Sequence, residues 1–289
     1  MVELFLDAKA LLGESPRWNA ADNCLYWADI EARRIHRTDF ISHKDEFIEF
    51  DEQVGCFALS RSGGLIIALE NGFRYMPKWQ AAARPFGDPI LADLPHQRFN
   101  DGCIDPYGRL WVGTVTSDKS QADAALYRLS PDGSVQKMLG GLLTSNGAAF
   151  TQDGHFFYHA DTPTHNIRRF AYHAAAGTIG EPTLFHQFPF GQGRPDGAAL
   201  DQQGCYWSAL FDGGRIVRLS PDGTLLETIA IPTQRPTMIA FGGGDGKTAF
   251  VTSATKGLDA NARLAQPHAG GIFMFQTDVA GQQQWLFDL

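Results

Sequence analysis

The chain has 289 residues, a formal net charge of −8, and a composition rich in Gly (31), Phe (21) and Trp (6). The acidic balance argues against nucleic acid or an anionic membrane as the main partner, since both need clustered Lys and Arg, and points to a small-molecule partner instead. No apolar run approaches the roughly 18 residues of a membrane helix, MVELFLDAKA lacks the regions of a signal peptide, and Cys24, Cys56, Cys103 and Cys205 are too scattered for a disulfide scaffold, so a cytoplasmic protein with reduced thiols is expected.

The first apolar stretch, VELFLD (2–7), reads as a strand with no partner nearby. Beyond it the chain repeats. The aromatic or apolar residue following each turn falls at Trp27, Ile67, Trp111, Phe157, Trp207 and Phe250, at intervals of 40, 44, 46, 50 and 43 residues. Six units of this length match four-stranded propeller blades. The turns NAADN (19–23), SRSGG (60–64), DPYGR (105–109), TQDGH (151–155), DQQGC (201–205) and GGDGK (243–247) supply the Gly, Asn and Asp that hairpins need. Alternating segments such as ALYRLSPDG (125–133) and RIVRLSPDG (215–223) suit half-exposed outer strands. Sustained helical periodicity is lacking, so helix is expected to be marginal.

The predicted fold is therefore all-β: a six-bladed β-propeller of four-stranded blades in a single domain, 1–289. Pairing of the N-terminal strand into the last blade would close the ring and remove a sheet edge. A monomer or weak homo-oligomer is expected. Two polar or small-residue insertions, 115–124 and 255–270, are candidates for shaping a pocket.

In such a ring the start of each innermost strand faces the channel mouth. Those positions hold Glu14, Gly55, Asn100 with Asp101, Asn146, Asp196 and Thr237. Superposing RFNDGCIDPYGRLW (98–111), SNGAAFTQDGHFFY (145–158) and GQGRPDGAALDQQGCYW (191–207) aligns Asp101, Asn146 and Asp196 at one position. Carboxylates and an amide oxygen gathered there suit a divalent cation, because uncompensated carboxylates would repel and be costly to desolvate. With no His or Cys among them, calcium, magnesium or manganese fits the donors better than zinc, although open carboxylate sites accept several metals. Asp-Gly and Asn-Gly are also common turn dipeptides, so spacing alone leaves a structural role open.

Other candidates read as structural. Asp105, Asp153 and Asp201 recur for hairpin geometry. His155, His159 and His165 lie along or near one strand, the first pair on one face by period two, without acidic or Cys partners at ligand spacing. Ser15 and Ser145 lack the GxSxG elbow of a serine hydrolase. Arg98 and Arg194 flank the mouth, fit either to bind substrate oxygens or to neutralise the carboxylates.

GESP (13–16), RFNDGxxDxxGRxWxGT (98–114), SNGxxxxxDG (145–154) and PDGxxxDxxGxxW (195–207), in this order and one per unit, resemble the SMP-30/gluconolactonase/regucalcin family over essentially the whole chain. The resemblance implies one divalent cation (Ca, Zn, Mn or Mg) at the channel mouth and hydrolysis of a sugar-acid lactone. By motif it makes Glu14, Asn146 and Asp196 the metal ligands, with Asp196 also the general base that activates water. Arg98 and Asn100 become substrate-binding residues, and the acidic residue expected shortly after GT falls on Asp118. Family members often carry Gly where Ser15 stands, which leaves Glu14 in place. In this mechanism the cation polarises the lactone carbonyl; a hydroxide held by the cation is the alternative nucleophile. Competing functions are an aryl-ester or phosphotriester hydrolase on the same site, or a non-catalytic calcium-binding propeller.

Overall fold

A computed structural model of the chain describes residues 1–118 and 121–289. The strands form six separate four-stranded antiparallel sheets, arranged as the blades of a six-bladed propeller. From the channel outward, blade I contains Gly13–Asn19, Cys24–Asp29, Arg34–Asp39 and Asp45–Glu49; blade II contains Val54–Leu59, Leu65–Leu69, Gly72–Met76 and Arg84–Phe86. Blade III contains Gln97–Ile104, Leu110–Thr116, Ala124–Leu129 and Val135–Leu142; blade IV contains Ser145–Phe150, Phe156–Asp161, Asn166–His173 and Thr178–Gln187. Blade V contains Arg194–Leu200, Tyr206–Phe211, Arg215–Leu219 and Leu225–Ala230. Blade VI contains Pro236–Gly242, Thr248–Ser253 and Ile272–Gln276, and its outermost strand is the N-terminal Glu3–Leu6.

That last pairing, with Glu3 opposite Met274 and Leu6 opposite Ile272, closes the ring as the unpartnered first strand predicted. The far end of the chain ties it again. Gln282 donates from its backbone to Leu200 O on blade V and from Nε2 to Phe150 O on blade IV, both at 2.8 Å. Phe287 N bonds Leu59 O on blade II, and Asp288 N bonds Gly108 O on blade III. This segment crosses the channel end away from the starts of the inner strands, and Phe287 is fully buried.

Burial explains the sequence pattern. Second strands such as CLYWAD (24–29) are buried along their whole length because a neighbouring blade covers each face, so they read as continuous apolar runs. Outermost strands such as LLETIA (225–230) are largely exposed. Trp27, Trp111 and Trp207 fill the layers between blades; Trp111 packs on Phe150 and Phe157 of the next blade, with ring centroids 5.3 Å away. Among the described residues helix is confined to the one-turn 3-10 segment Thr162–Thr164 and to Ala260–Ala265 inside the 255–270 insertion, N-capped by Asp259. Among the described residues no helix is long and apolar enough to cross a membrane. All four cysteines are free thiols, three of them buried.

Every innermost hairpin carries a register shift near its start: between Glu14 and Arg17, Val54 and Cys56, Phe99 and Gly102, Asn146 and Ala149, Pro195 and Ala198, and Pro236 and Met238. In each case the inner strand has one residue more than its partner. Such a bulge turns a side chain away from the regular pleat, which is how a strand buried between blades presents polar atoms to the channel.

These hairpins also correct the superposition of the repeats. The amides that close the turns are Asp105 N to Arg109 O, Thr151 N to Phe156 O and Asp201 N to Cys205 O. Counting five residues back from each reaches Asn100, Asn146 and Asp196. Asn100, not Asp101, is the repeat equivalent of Asp196, and Asp101 lies one residue further along. In blade II the same count from Ser60, whose amide bonds Gly64 O, reaches Gly55. A Cβ there would stand 2.4 Å from Phe99 O, so the blade without a donor is the one whose neighbour comes too close for a side chain.

Candidate active site

Glu14, Asn100, Asp101, Asn146 and Asp196 are all at least nine-tenths buried at the starts of the inner strands. Asn100 and Asn146 belong to one hydrogen-bonded chain across three blades. Arg98 Nη1 donates to Asn100 Oδ1 at 2.9 Å, and Asn100 Nδ2 donates to Asn146 Oδ1 at 2.9 Å and to Ser145 O at 3.0 Å. Asn146 Nδ2 then donates to Thr162 Oγ1 at 2.7 Å, and that hydroxyl donates to Pro195 O, next to Asp196, at 2.8 Å. These bonds fix both amides and leave Asn146 Oδ1 turned toward Asn100 with a lone pair to spare.

Backbone conformation supports this placement. Gly147 has φ 58°, and a Cβ on it would lie 2.3 Å from the Tyr206 hydroxyl, which itself donates to Gly147 O at 2.7 Å. Only glycine fits both conditions, so the Asn-Gly pair is a structural requirement at this position. Ser15 adopts φ 50° with its buried Oγ unpartnered, a conformation in which Gly is at ease.

The carboxylates stand in a different condition from the amides. Burial, and then the Asp101 carboxylate, pushes Glu14 up to about 8. Burial, then Glu14 and Asp101, raises Asp196 well above the usual carboxylate range. Asp101 is raised by burial too, opposed chiefly by the Arg17 guanidinium. Hydrogen bonding does little to relieve them: Glu14 accepts from Ser15 N at 3.1 Å, Asp101 Oδ2 accepts from Ala148 N at 3.3 Å, and Asp101 Oδ1 has no partner.

Two other buried aspartates show what a satisfied carboxylate looks like here. Asp105 accepts from the amides of Tyr107 and Arg109 on one oxygen and from Arg109 Nε, Trp111 Nε1 and the Tyr172 hydroxyl on the other. Asp201 accepts from Gln203 N, Cys205 N, Trp207 Nε1 and Arg218 Nε. The expected hairpin role is thus part of a larger one: both residues also anchor the blade tryptophan. Asp153 is exposed and caps its turn alone. Carboxylates built for structure are saturated with donors in this fold, whereas Glu14 and Asp196 are left short of them.

A divalent cation fits that deficit, since buried carboxylates without donors or counter-charge are unfavourable. Among the described residues no three His, Cys, Asp or Glu side chains converge closely enough to hold an ion alone. A set of Glu14, Asp196 and the Asn146 amide oxygen would be all oxygen, as a hard divalent cation favours.

Not every predicted residue joins this cluster. Asp118 is exposed on its loop, with Gln121 Nε2 at 3.4 Å from its Oδ2, and its neighbours 119 and 120 lie outside the described residues. A cavity of 440 Å³ opens beside Arg98, lined also by Glu31, Glu70, His96, Ser117 and Lys256. The histidines differ in setting: His155 precedes the strand and is exposed beside Asp153, while His159 is fully buried, its Nε2 2.7 Å from Ser145 Oγ. Sequence reasoning missed Thr162 and Arg17. Arg17 lies buried beneath the carboxylates and donates to Gly102 O at 2.5 Å; its place after GESP was the one available hint.

Fold and site together define a six-bladed propeller whose channel mouth gathers buried, donor-poor carboxylates beside an ordered Arg–Asn–Asn chain. Residues 12–255 match the model of the SMP-30/gluconolactonase/LRE-like region, and the chain belongs to that family. It is 41% identical over 280 residues to the 6-deoxy-6-sulfogluconolactonase of Pseudomonas putida, covering 96% of this chain and 95% of that protein. It is 33% identical over 275 residues to regucalcin of Danio rerio, covering 94% and 92%. Among solved structures it resembles a calcium-binding protein, regucalcin, from Agrobacterium tumefaciens, with a TM-score of 0.95 at 26% identity over 99% of this chain and 97% of that one.

Proposed function

We propose that the protein is a divalent-cation-dependent lactonase that opens a sugar-acid lactone by hydrolysis. The observation carrying this reading is the contrast among buried carboxylates: Glu14, which accepts from Ser15 N, and Asp196 have few donors beside the Arg98–Asn100–Asn146 chain, whereas Asp105 and Asp201 are saturated. Similarity over nearly the full length of a sugar lactonase supports the reaction class.

Glu14, Asn146 and Asp196 would hold the cation. When bound, it supplies Lewis acidity at the acyl oxygen and compensates the carboxylate charge. Asp196 takes a proton from the attacking water, whose oxygen bonds to the acyl carbon. The ring carbon–oxygen bond then breaks, the ring oxygen takes up a proton, and the product is a hydroxy-carboxylate. A cation beside Asp196 weakens it as a base, and a lactone, being an activated ester, asks little of one. Arg98 and Asn100 bind substrate oxygens; Thr162 keeps the Asn146 amide from turning. Free thiols support a cytoplasmic setting. The test is a lactone panel assayed by proton release, with the metal stripped and restored.

A further inference from the structure

The rim beside Asp196 carries two guanidinium groups outside the Arg98–Asn100–Asn146 chain. Arg194 and Arg235 occupy matching places in RPD (194–196) and RPT (235–237), at or just before the inner strands of neighbouring blades V and VI. Asp212, at φ 60° just after the second strand of blade V, bridges them. Its Oδ2 accepts from Arg194 Nη2 at 2.5 Å and its Oδ1 from Arg235 Nε at 2.7 Å. Both guanidiniums lie 5.2 Å from the Phe211 ring centroid, and Arg235 Nη1 also donates to Lys256 O. Two planar cations are thus held in place by one carboxylate and one aromatic ring.

One carboxylate cannot balance two guanidiniums. Arg194 Nε and Nη1 and Arg235 Nη2 have no acceptor among the described residues, and the Arg194 side chain remains 36% exposed. Arg194 precedes Asp196 by two residues on the same strand, and Asp212 joins Arg235 to it, so the pair borders the candidate site. His165, which also feels Arg194, is buried against Phe190 with Nδ1 unpartnered. The neighbouring cations differ: Glu31 and Glu70 act on Arg98, and Lys256 Nζ, beside Arg235, is bonded to Glu31. Preorganised guanidiniums with spare coplanar donors are a recognition site for anionic oxygens.

We propose that the substrate lactone carries an anionic group, a carboxylate, sulfonate or phosphate remote from the acyl carbon, which docks on Arg194 and Arg235. This rests on the lactonase reading. The test compares kcat/KM of the metal-loaded protein for glucono-δ-lactone, its 6-phosphate and its 6-deoxy-6-sulfonate. The wild type should favour at least one charged lactone by about tenfold or more, as expected for a charge-assisted hydrogen bond, and high salt should shrink the preference. Arg194→Gln and Arg235→Gln should each lower the charged-to-neutral ratio about tenfold, mainly through KM; Arg235→Lys, which keeps the charge, should retain part of it. A wild type that hydrolyses the neutral lactone as well as the charged ones overturns the proposal and leaves the lactonase reading standing. So do variants that slow all three in equal proportion, since the cluster would then only anchor the loop at Lys256. Failure to hydrolyse any of the three with any divalent metal overturns both.

Discussion

Asn100 Nδ2 and Asn146 Oδ1 lie 2.9 Å apart across two blades. The contact makes one amide the orienting partner of the other, so the positions proposed to bind substrate and cation share a single hydrogen-bonded chain. That chain continues through Thr162 to the backbone beside Asp196, and a change at either end should be felt at the other.

Thr162→Val removes the acceptor for Asn146 Nδ2 and the donor to Pro195 O while keeping side-chain volume. Cation affinity should fall about 10–100-fold, the range for residues that orient metal ligands. Titration calorimetry with calcium and with manganese reads this. Unchanged affinity for both would show that Thr162 does not hold the amide.

Asp196→Asn should reduce lactone hydrolysis by about a thousandfold or more, since it removes a ligand and the base together. In the metal-free protein it should also raise the melting temperature, because Glu14 and Asp101 both act to disfavour its charge. A thermal melt in chelator separates the two effects; a lower melting temperature would show that the native carboxylate is better satisfied than the geometry indicates.

Much of the fold is legible in the chain because each turn sits before an apolar run and the unpartnered VELFLD calls for closure. The bulges are not legible: an extra inner-strand residue shows only against its partner, and DGCID, NGAAF and DGAAL look interchangeable. That is why Asp101 aligns with Asp196 in the sequence although Asn100 occupies its place in the structure. Arg17 and Thr162 escaped for a related reason, since their partners Gly102 and Pro195 lie in other blades. The tryptophan bonds of Asp105 and Asp201 cross a hairpin at fixed spacing, and DxxGxxW is the pattern they leave.

Asp201→Ala leaves the Arg218 guanidinium without its carboxylate partner and the Trp207 indole without its acceptor. The loss should be about 3–5 kcal/mol, as for other broken buried pairs, with cation affinity of the folded protein retained. Chemical denaturation measures it; a cost below about 1 kcal/mol would contradict the anchoring role.

His159 is buried and neutral, and burial pulls it down to about 3. The unfolded state, with the usual value near 6.5, takes up the proton first as pH falls. Its contribution to stability is therefore full above pH 6.5 and is lost progressively down to about 3, roughly 2–3 kcal/mol by pH 4.5. His159→Gln should flatten that part of the stability profile; an equally steep profile would assign the acid sensitivity elsewhere.

Ser15→Gly should be stabilising by about 1 kcal/mol, because it relieves a left-handed conformation and removes a buried unpartnered hydroxyl. Destabilisation would show that the hydroxyl has a partner in solution.

The central claim is that Glu14, Asn146 and Asp196 form a cation site on which lactone hydrolysis depends. The direct measurement is proton release from an aldonolactone by chelator-stripped protein before and after addition of each divalent metal, alongside Asp196→Asn. The account predicts negligible turnover in the stripped protein, restoration by at least one metal, and no restoration in the variant. Turnover that persists without metal, or that the variant recovers, would contradict it.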